Sequence, residues 1–452
     1  MTILDDYRQT YRSITQANQM SNMIETSPPI AFEQICRNLE FTPRCLRERF
    51  ARSAVIDRLQ DLKHGEVTLV EGDSAQTFGQ QTEACSLHVR LTVYRSRFFP
   101  RAAFGGDIGA AESFMDGDWV CDDLTSLIRI LIVNAQAQIS EPGWISWVFE
   151  PLYRVSHWLN RNTRRGSRKN IAAHYDLGND FFQLLLDETL MYSSGIFERP
   201  ESTLFEASTA KNERICQKLN LQPEDYLLEI GSGWGGFALH AASKYGCRVT
   251  TTTISREQFE YATKRIADAG LANRVTVLMQ DYRDLNGQYD KLVSIEMIEA
   301  VGHEFFETYF KKCGELLKPN GLFVLQGITI ADQLYQGYVR RVDFIQRYIF
   351  PGGCLPSVTK ICNVLTQVTD LRVSHLEDFA THYAQTLRHW RTRFHHQLAA
   401  IRRLGFDDRF IRMWEYYLCY CEGAFLERNC GLVQLVMTKP GCRTDYTGTA
   451  AN

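Results

Sequence analysis

An apolar run, Tyr226 to Ile230, breaks at Gly231-Ser232-Gly233-Trp234-Gly235-Gly236, and a helical pattern then resumes in FALHAASKYG. Strand, glycine turn and helix in that order let the main chain approach a ligand at the carboxyl end of a parallel strand. This confines the region to an open α/β sheet with a nucleotide-type crevice. A tight connection that holds no ligand has the same local pattern, so the following strands decide between the two.

A dinucleotide-binding unit places an acid about 20 residues beyond its glycines, to hold a ribose hydroxyl. Here the second strand, GCRVTTTTIS, ends instead in Thr251, Thr252, Thr253 and Ser255. The third, RVTVLM, runs into Gln280-Asp281-Tyr282, an amide and a carboxylate placed where an adenine amino group can be read. The fourth, YDKLVSI, leads into Glu296-Met297-Ile298-Glu299, and the fifth is GLFVLQGI after the turn Lys318-Pro319-Asn320-Gly321. Apolar positions at three-to-four spacing over 255–269 and 304–317 predict the crossover helices of a doubly wound parallel sheet.

EIGSGWGGF, TISREQ, QDYRDL and IEMIEAVG, in this order, resemble the cyclopropane fatty acid synthase family of S-adenosylmethionine-dependent methyltransferases. HYDLGNDFFQLLLDETLMYSSGIF at 174–197 and RYIFPGGCLPS at 347–357 are similar to segments that shape the acyl pocket in that family. The likeness covers roughly 170–440, and GGDIGAAESFMDGDW at 105–119 extends it loosely toward the amino terminus. It implies a Rossmann-like class I methyltransferase sheet and S-adenosylmethionine held by Tyr192, Ser193, Gly231, Gly233, Gly235, Thr253, Gln258, Asp281 and Tyr282.

The same resemblance implies a catalytic set of Glu299, Tyr383, Ser194 and Gln326. Family members hold a bicarbonate ion as base with a Cys, a Glu, a His and a Tyr. Glu299 and Tyr383 match, but Ser194 stands at the Cys position, Gln326 at the His position, and Ala300 where a His commonly follows the Glu. A hydroxyl and an amide still donate hydrogen bonds but offer no imidazole, which leaves the use of bicarbonate open. His382, beside Tyr383, and Glu299 itself are alternative proton acceptors. The family adds a methyl to the double bond of an unsaturated phospholipid acyl chain, and the expected product is a cyclopropane or a methyl- or methylene-branched chain. A methyltransferase of a small soluble amine or natural product, and a cofactor-binding protein with degenerate catalysis, are the competing readings.

At 452 residues the chain exceeds one ordinary core, and a smaller amino-terminal α+β domain is expected over 1–140 from the strand-like EVTLV and SLHVRLTVY and a helix at Asp123–Asn134. The methyltransferase domain follows at 171–440, and 441–452 is a tail. Between them, 141–170 carries Trp144, Trp147 and Trp158 ahead of Arg161, Arg164, Arg165, Arg168 and Lys169. This composition fits either a peripheral contact with a membrane surface or a solvated basic linker.

An aromatic insertion at 331–360 suggests a wall over an apolar substrate, followed by helices near 378–403 and 408–427 and a closing strand at 431–438. A formal charge of −3 argues against a nucleic-acid binder. No run approaches the ~20 apolar residues of a spanning helix, and MTILDDYRQTYR has no signal-peptide core, so a cytoplasmic location is expected. The 13 cysteines include no C-x-x-C pair and His395-His396 lacks companion ligands, so reduced thiols and no metal are expected. The resemblance also implies a homo-oligomer, a dimer through the amino-terminal part.

Overall fold

The structure, a computed structural model, describes residues 46–137 and 177–443. The aromatic and basic stretch read at 141–170 lies outside the described residues.

The amino-terminal unit starts with α1 (Leu46–Gln60) and the strands β1 (Gly65–Glu71), β2 (Ser74–Gln80) and β3 (His88–Val93), then α2 (Phe98–Met115), β4 (Trp119–Cys121) and α3 (Leu124–Ala137). Its four strands run in the order β2-β1-β3-β4. EVTLV and SLHVRLTVY supply β1 and β3, and the expected helix is α3. Helix α2 is broken at Gly106 (φ 58°, ψ −142°), a conformation that β-carbon sterics deny to other residues.

The second unit contains α4 (Asn179–Leu185), α5 (Leu204–Leu219), β5 (Tyr226–Ile230), α6 (Gly236–Tyr245), β6 (Arg248–Thr253), α7 (Arg256–Asp268), β7 (Val275–Met279) and β8 (Tyr289–Ile295). It continues with α8 (Phe306–Leu316), β9 (Leu317–Ile330), α9 (Asp332–Tyr338), α10 (Val358–Val368), β10 (Arg372–Asp378), α11 (Ala380–His396), α12 (Leu398–Arg403), α13 (Asp408–Leu426) and β11 (Cys430–Thr438). Seven strands form one sheet in the order β10-β11-β9-β8-β5-β6-β7. The five strands read from the sequence are the parallel ones, whereas β11 and β10 add antiparallel at one edge.

The chain leaves β5 toward β6 on one side and returns to pair β8 on the other. This reversal opens a crevice at the carboxyl ends of β5 and β8. The glycine turn after Ile230 and the residues after Ile295 therefore face the same space. Ile295 is level with Gln326 of β9, and Gln326 with Gln434 of β11, so two glutamines on adjacent strands line up beside the end of β8.

Candidate active site

A cavity of about 700 Å³ lies over this switch point. Its cofactor side begins at the glycine turn, where Gly231 has φ 100° and Gly233 φ 49°, so main chain rather than side chain faces the space. A Cβ on Gly236 would lie 2.5 Å from the Thr189 carbonyl oxygen, so helix α6 can start here only without a side chain. Gly235 sits behind the wall and supports the turn (φ 82°) without lining the cavity.

Tyr192 and Ser193 approach from the segment after α4 and line the same end. The Tyr192 hydroxyl is 3.0 Å from that of Tyr417, and Ser193 Oγ accepts from the buried Lys211 ammonium at 3.1 Å. Thr253 Oγ1 donates to Gln258 Oε1 at 2.9 Å, which joins the end of β6 to the first turn of α7. Asp281 and Tyr282 line the third side, with both Asp281 oxygens engaged by the Arg283 guanidinium at 2.8 and 2.6 Å.

Glu229, the last acid before the glycines, has a buried oxygen with no hydrogen-bond partner among the described residues. Burial pushes its carboxyl up to about 8, and it faces the cavity. An orphaned acceptor beside main-chain glycines and a Thr/Gln pair fits a ligand carrying an ammonium group and a ribose, as S-adenosylmethionine does.

The catalytic end differs from its reading in the sequence. Ser194, Gln326 and Tyr383 are brought together, but on the carboxylate of Glu296 rather than that of Glu299. The Ser194 main-chain N–H donates to Glu296 Oε1 at 2.9 Å, Gln326 Nε2 to the same oxygen at 2.8 Å, and the Tyr383 hydroxyl to Oε2 at 2.7 Å. The Ser194 hydroxyl is turned away, donating to the Gly195 carbonyl at 3.0 Å. Ser194 and Gln326 are fully buried behind the cavity wall, while Glu296, Glu299 and Tyr383 line it.

Glu296 itself has a left-handed backbone, φ 49°, uncommon for a residue with a side chain and a feature that clusters at functional sites. Burial raises its pKa, and the three donors and then Lys211 oppose that rise. Glu299 is three residues on. Its Oε1 accepts the Ile328 N–H, its Oε2 has no partner among the described residues, and burial followed by the neighbouring Glu296 charge pushes it up to about 8. Of the two, Glu299 is the one pushed up to about 8, while the three donors on Glu296 favour its ionised form.

Gln326 cannot present its amide either way round. The Lys218 ammonium donates to Gln434 Oε1 at 2.7 Å, and Gln434 Nε2 donates to Gln326 Oε1 at 2.8 Å. An ammonium only donates, so the direction of the chain is fixed and Gln326 must turn its NH2 toward Glu296. Lys218 is anchored in turn by Glu377 at 2.7 Å.

His382, the other acceptor considered, is not at the site. Its Nδ1 accepts the Phe197 N–H at 3.1 Å and its ring stacks on Phe197, away from the cavity. Sequence reasoning missed Glu296, Lys211, Lys218 and Gln434, although Glu296 stood within IEMIEAVG as a second acid three residues ahead of Glu299.

The rest of the cavity is mainly apolar. Phe104 and Ile132 come from the amino-terminal unit, Leu334 and Phe350 from the aromatic insertion, and Ala424 and Phe425 from α13.

The model of the mycolic acid cyclopropane synthetase family matches residues 162–435. Among individual relatives, the tuberculostearic acid methyltransferase UfaA1 of Mycobacterium tuberculosis is 36% identical over 402 residues, 86% of this chain and 92% of that protein. The cyclopropane-fatty-acyl-phospholipid synthase of Escherichia coli is 38% identical over 355 residues, 77% of this chain and 87% of the relative. Among solved structures, the cyclopropane synthase MmaA2 of Mycobacterium tuberculosis superposes with a TM-score of 0.57 at 28% identity, over 60% of this chain and 98% of its own. The mycolic acid cyclopropane synthase CmaA1, solved with SAH and CTAB, gives 0.57 at 30% identity over 60% and 98%. With that match spanning more than half of its length, over the sheet and the crevice just described, the chain belongs to the mycolic acid cyclopropane synthetase family of S-adenosylmethionine-dependent methyltransferases.

Proposed function

We propose that the enzyme transfers a methyl group from S-adenosylmethionine to the double bond of an unsaturated acyl chain in a membrane phospholipid, giving a cyclopropane or a methyl- or methylene-branched chain. The observation that carries this reading is a single cavity that starts at a cofactor crevice and continues into an apolar chamber, with an acid pair between them. An acyl chain matches such a lining, and the names of the relatives point the same way.

The bound cofactor supplies an electrophilic methyl on a sulfonium sulfur. Tyr192, Ser193, Thr253, Gln258 and the glycine turn are the groups that would hold and orient it, while Glu229 takes its ammonium. The double bond is the nucleophile, and no side chain needs to attack. The protein's task is to align the two partners, keep water out and tolerate a transient cation. The rings of Tyr192, Phe350, Tyr383 and Tyr417 line the same cavity, and aromatic rings favour nearby positive charge. No helix among the described residues is long and apolar enough to cross a membrane, so the enzyme would reach lipid from the surface, with the aromatic and basic stretch 141–170 against the headgroups.

The test uses vesicles of cis-monounsaturated phosphatidylethanolamine and phosphatidylglycerol with methyl-deuterated cofactor. Acyl chains should gain CD2 if a ring or methylene forms, one deuterium having left, and CD3 in exchange for one chain hydrogen if the methyl stays intact. Unchanged acyl masses with folded, cofactor-loaded protein would overturn the reading.

A further inference from the structure

We propose that the carboxylate of Glu296 is the base of this site, resident in the protein, so that no bicarbonate ion is required. The inference rests on the acyl-methylation reading above and names the group that takes the proton. The donors that an external anion would need are already spent: the Ser194 N–H, the Gln326 amide and the Tyr383 hydroxyl all point at Glu296. An ionised carboxylate has about four lone-pair sites, so these three donors leave one acceptor position on Oε2 unused, on a residue that lines the cavity.

The other groups are less suited: Glu299 is pushed up to about 8 by burial and by the Glu296 charge, Tyr383 is itself a donor to Glu296, His382 faces Phe197, and Glu229 lies at the cofactor end. A second anion in the same enclosed pocket would meet the Glu296 charge at close range in a low dielectric, which is costly. Glu296 has a left-handed backbone where it lines the cavity, an observed strain of the kind that clusters at functional sites, and the charge of the buried Lys211 favours its ionised form.

The electron count closes. The π pair of the alkene makes the new carbon–carbon bond as the carbon–sulfur pair departs with sulfur, leaving a cation on the adjacent carbon. A C–H bonding pair of the transferred methyl then closes the ring, and its proton passes to Glu296, which becomes a neutral acid until product release returns the proton to water. If a hydride shifts first, the same C–H pair forms a methylene and the proton has the same destination. Glu296 thus serves either product.

Turnover on unsaturated phospholipid vesicles is measured in carbonate-free buffer for the wild type, Glu296→Gln and Glu296→Ala. Wild-type turnover should be indifferent to added bicarbonate. Glu296→Gln should lose about 100-fold or more in kcat, the range of a lost general base, with S-adenosylmethionine affinity within about threefold. That affinity also reports an intact fold. Formate, which fits the space vacated in Glu296→Ala, should restore part of the rate. A wild type that needs bicarbonate, or a Glu296→Gln enzyme at wild-type rate, overturns the assignment.

If the wild type modifies no acyl chain, the functional reading fails separately, and calorimetry with S-adenosylhomocysteine present still decides the anion question. The proposal expects formate to bind Glu296→Ala and neither formate nor bicarbonate to bind the wild type. Bicarbonate binding to the wild type that is lost in Gln326→Ala would refute it.

Discussion

The carboxyl of Glu299 sets the pH behaviour of the site. Glu299 is pushed up to about 8 by burial and by the neighbouring charge, so it is neutral through the physiological range and ionises only at higher pH. Above that point two carboxylates face the same enclosed space, and kcat/KM of the wild type should fall. The folding stability linked to neutral Glu299 has the same direction: it is full below the ordinary glutamate pKa of about 4.3 and is lost as the pH rises through about 8. Glu299→Gln fixes the neutral state. It should keep cofactor affinity, retain measurable turnover and extend the active plateau beyond the wild-type alkaline limb, as a pH–rate profile will show; an unchanged limb would separate it from Glu299. Glu299 and Tyr383 were legible in the sequence because a family motif marks each position. Glu296 was not, since its role depends on a left-handed backbone and on the alignment of β8 with β9, neither of which a letter string displays. For Ser194 the sequence pointed to the hydroxyl, whereas the contact is made by a main-chain N–H that any residue would carry.

Elements explain how such a cluster is assembled. Gln326 on β9 lies beside the end of β8 and Gln434 beside it on β11, so sheet register pairs the two glutamines, and the left-handed turn at Glu296 just past β8 brings its carboxylate to them. Helix α5 covers this face of the sheet and lowers Lys218 onto the end of the row, its amino terminus fixed by a capping box between Thr203 and Glu206. Lys218 acts as a positioning residue through two amides. Lys218→Met leaves Gln434 Oε1 without its donor and frees both glutamines to rotate, so that the Gln326 carbonyl oxygen can face Glu296 instead of its NH2. The expected result is a loss of about tenfold in kcat, equivalent to ~1.4 kcal/mol, with cofactor affinity unchanged and recovery in Lys218→Arg, which keeps a donor. A parallel fall in cofactor affinity would indicate general disruption of the fold. Strands β5, β8 and β9 were readable because burial gives them apolar stretches (YLLEI, LVSI, LFVL), and β6 and β7 because of their β-branched residues. Strands β2 and β10 were not, since SAQTFGQ and RVSHLED lie largely exposed at sheet edges and carry no such run.

At the scale of the whole molecule, the two units share core residues. One hydrophobic cluster runs from Val67, Phe99 and Ile130 of the amino-terminal unit to Trp390, Trp414 and Phe425 of the methyltransferase unit. Arg129 and Thr125 of α3 bond Glu427 and Glu422 at the far end of α13, at 2.5 and 3.3 Å. Length suggested two domains, whereas joint burial is a property of surfaces that meet only after folding. The consequence is functional: Phe104 on the broken helix α2 and Ile132 on α3 line the acyl chamber, so the amino-terminal unit contributes wall and not merely support. Ile132 is half-buried, and a larger side chain there projects into the chamber while the glycine turn and the Glu296 cluster, held by other elements, keep their geometry. Ile132→Trp should therefore leave S-adenosylmethionine affinity as it was and shift the modified acyl chains toward shorter or more proximal double bonds, read by mass spectrometry of a mixed-lipid reaction. Loss of the long-chain product with retention of the short one locates chain selection in the amino-terminal wall. An unaltered product distribution would place it entirely within the aromatic insertion after β9.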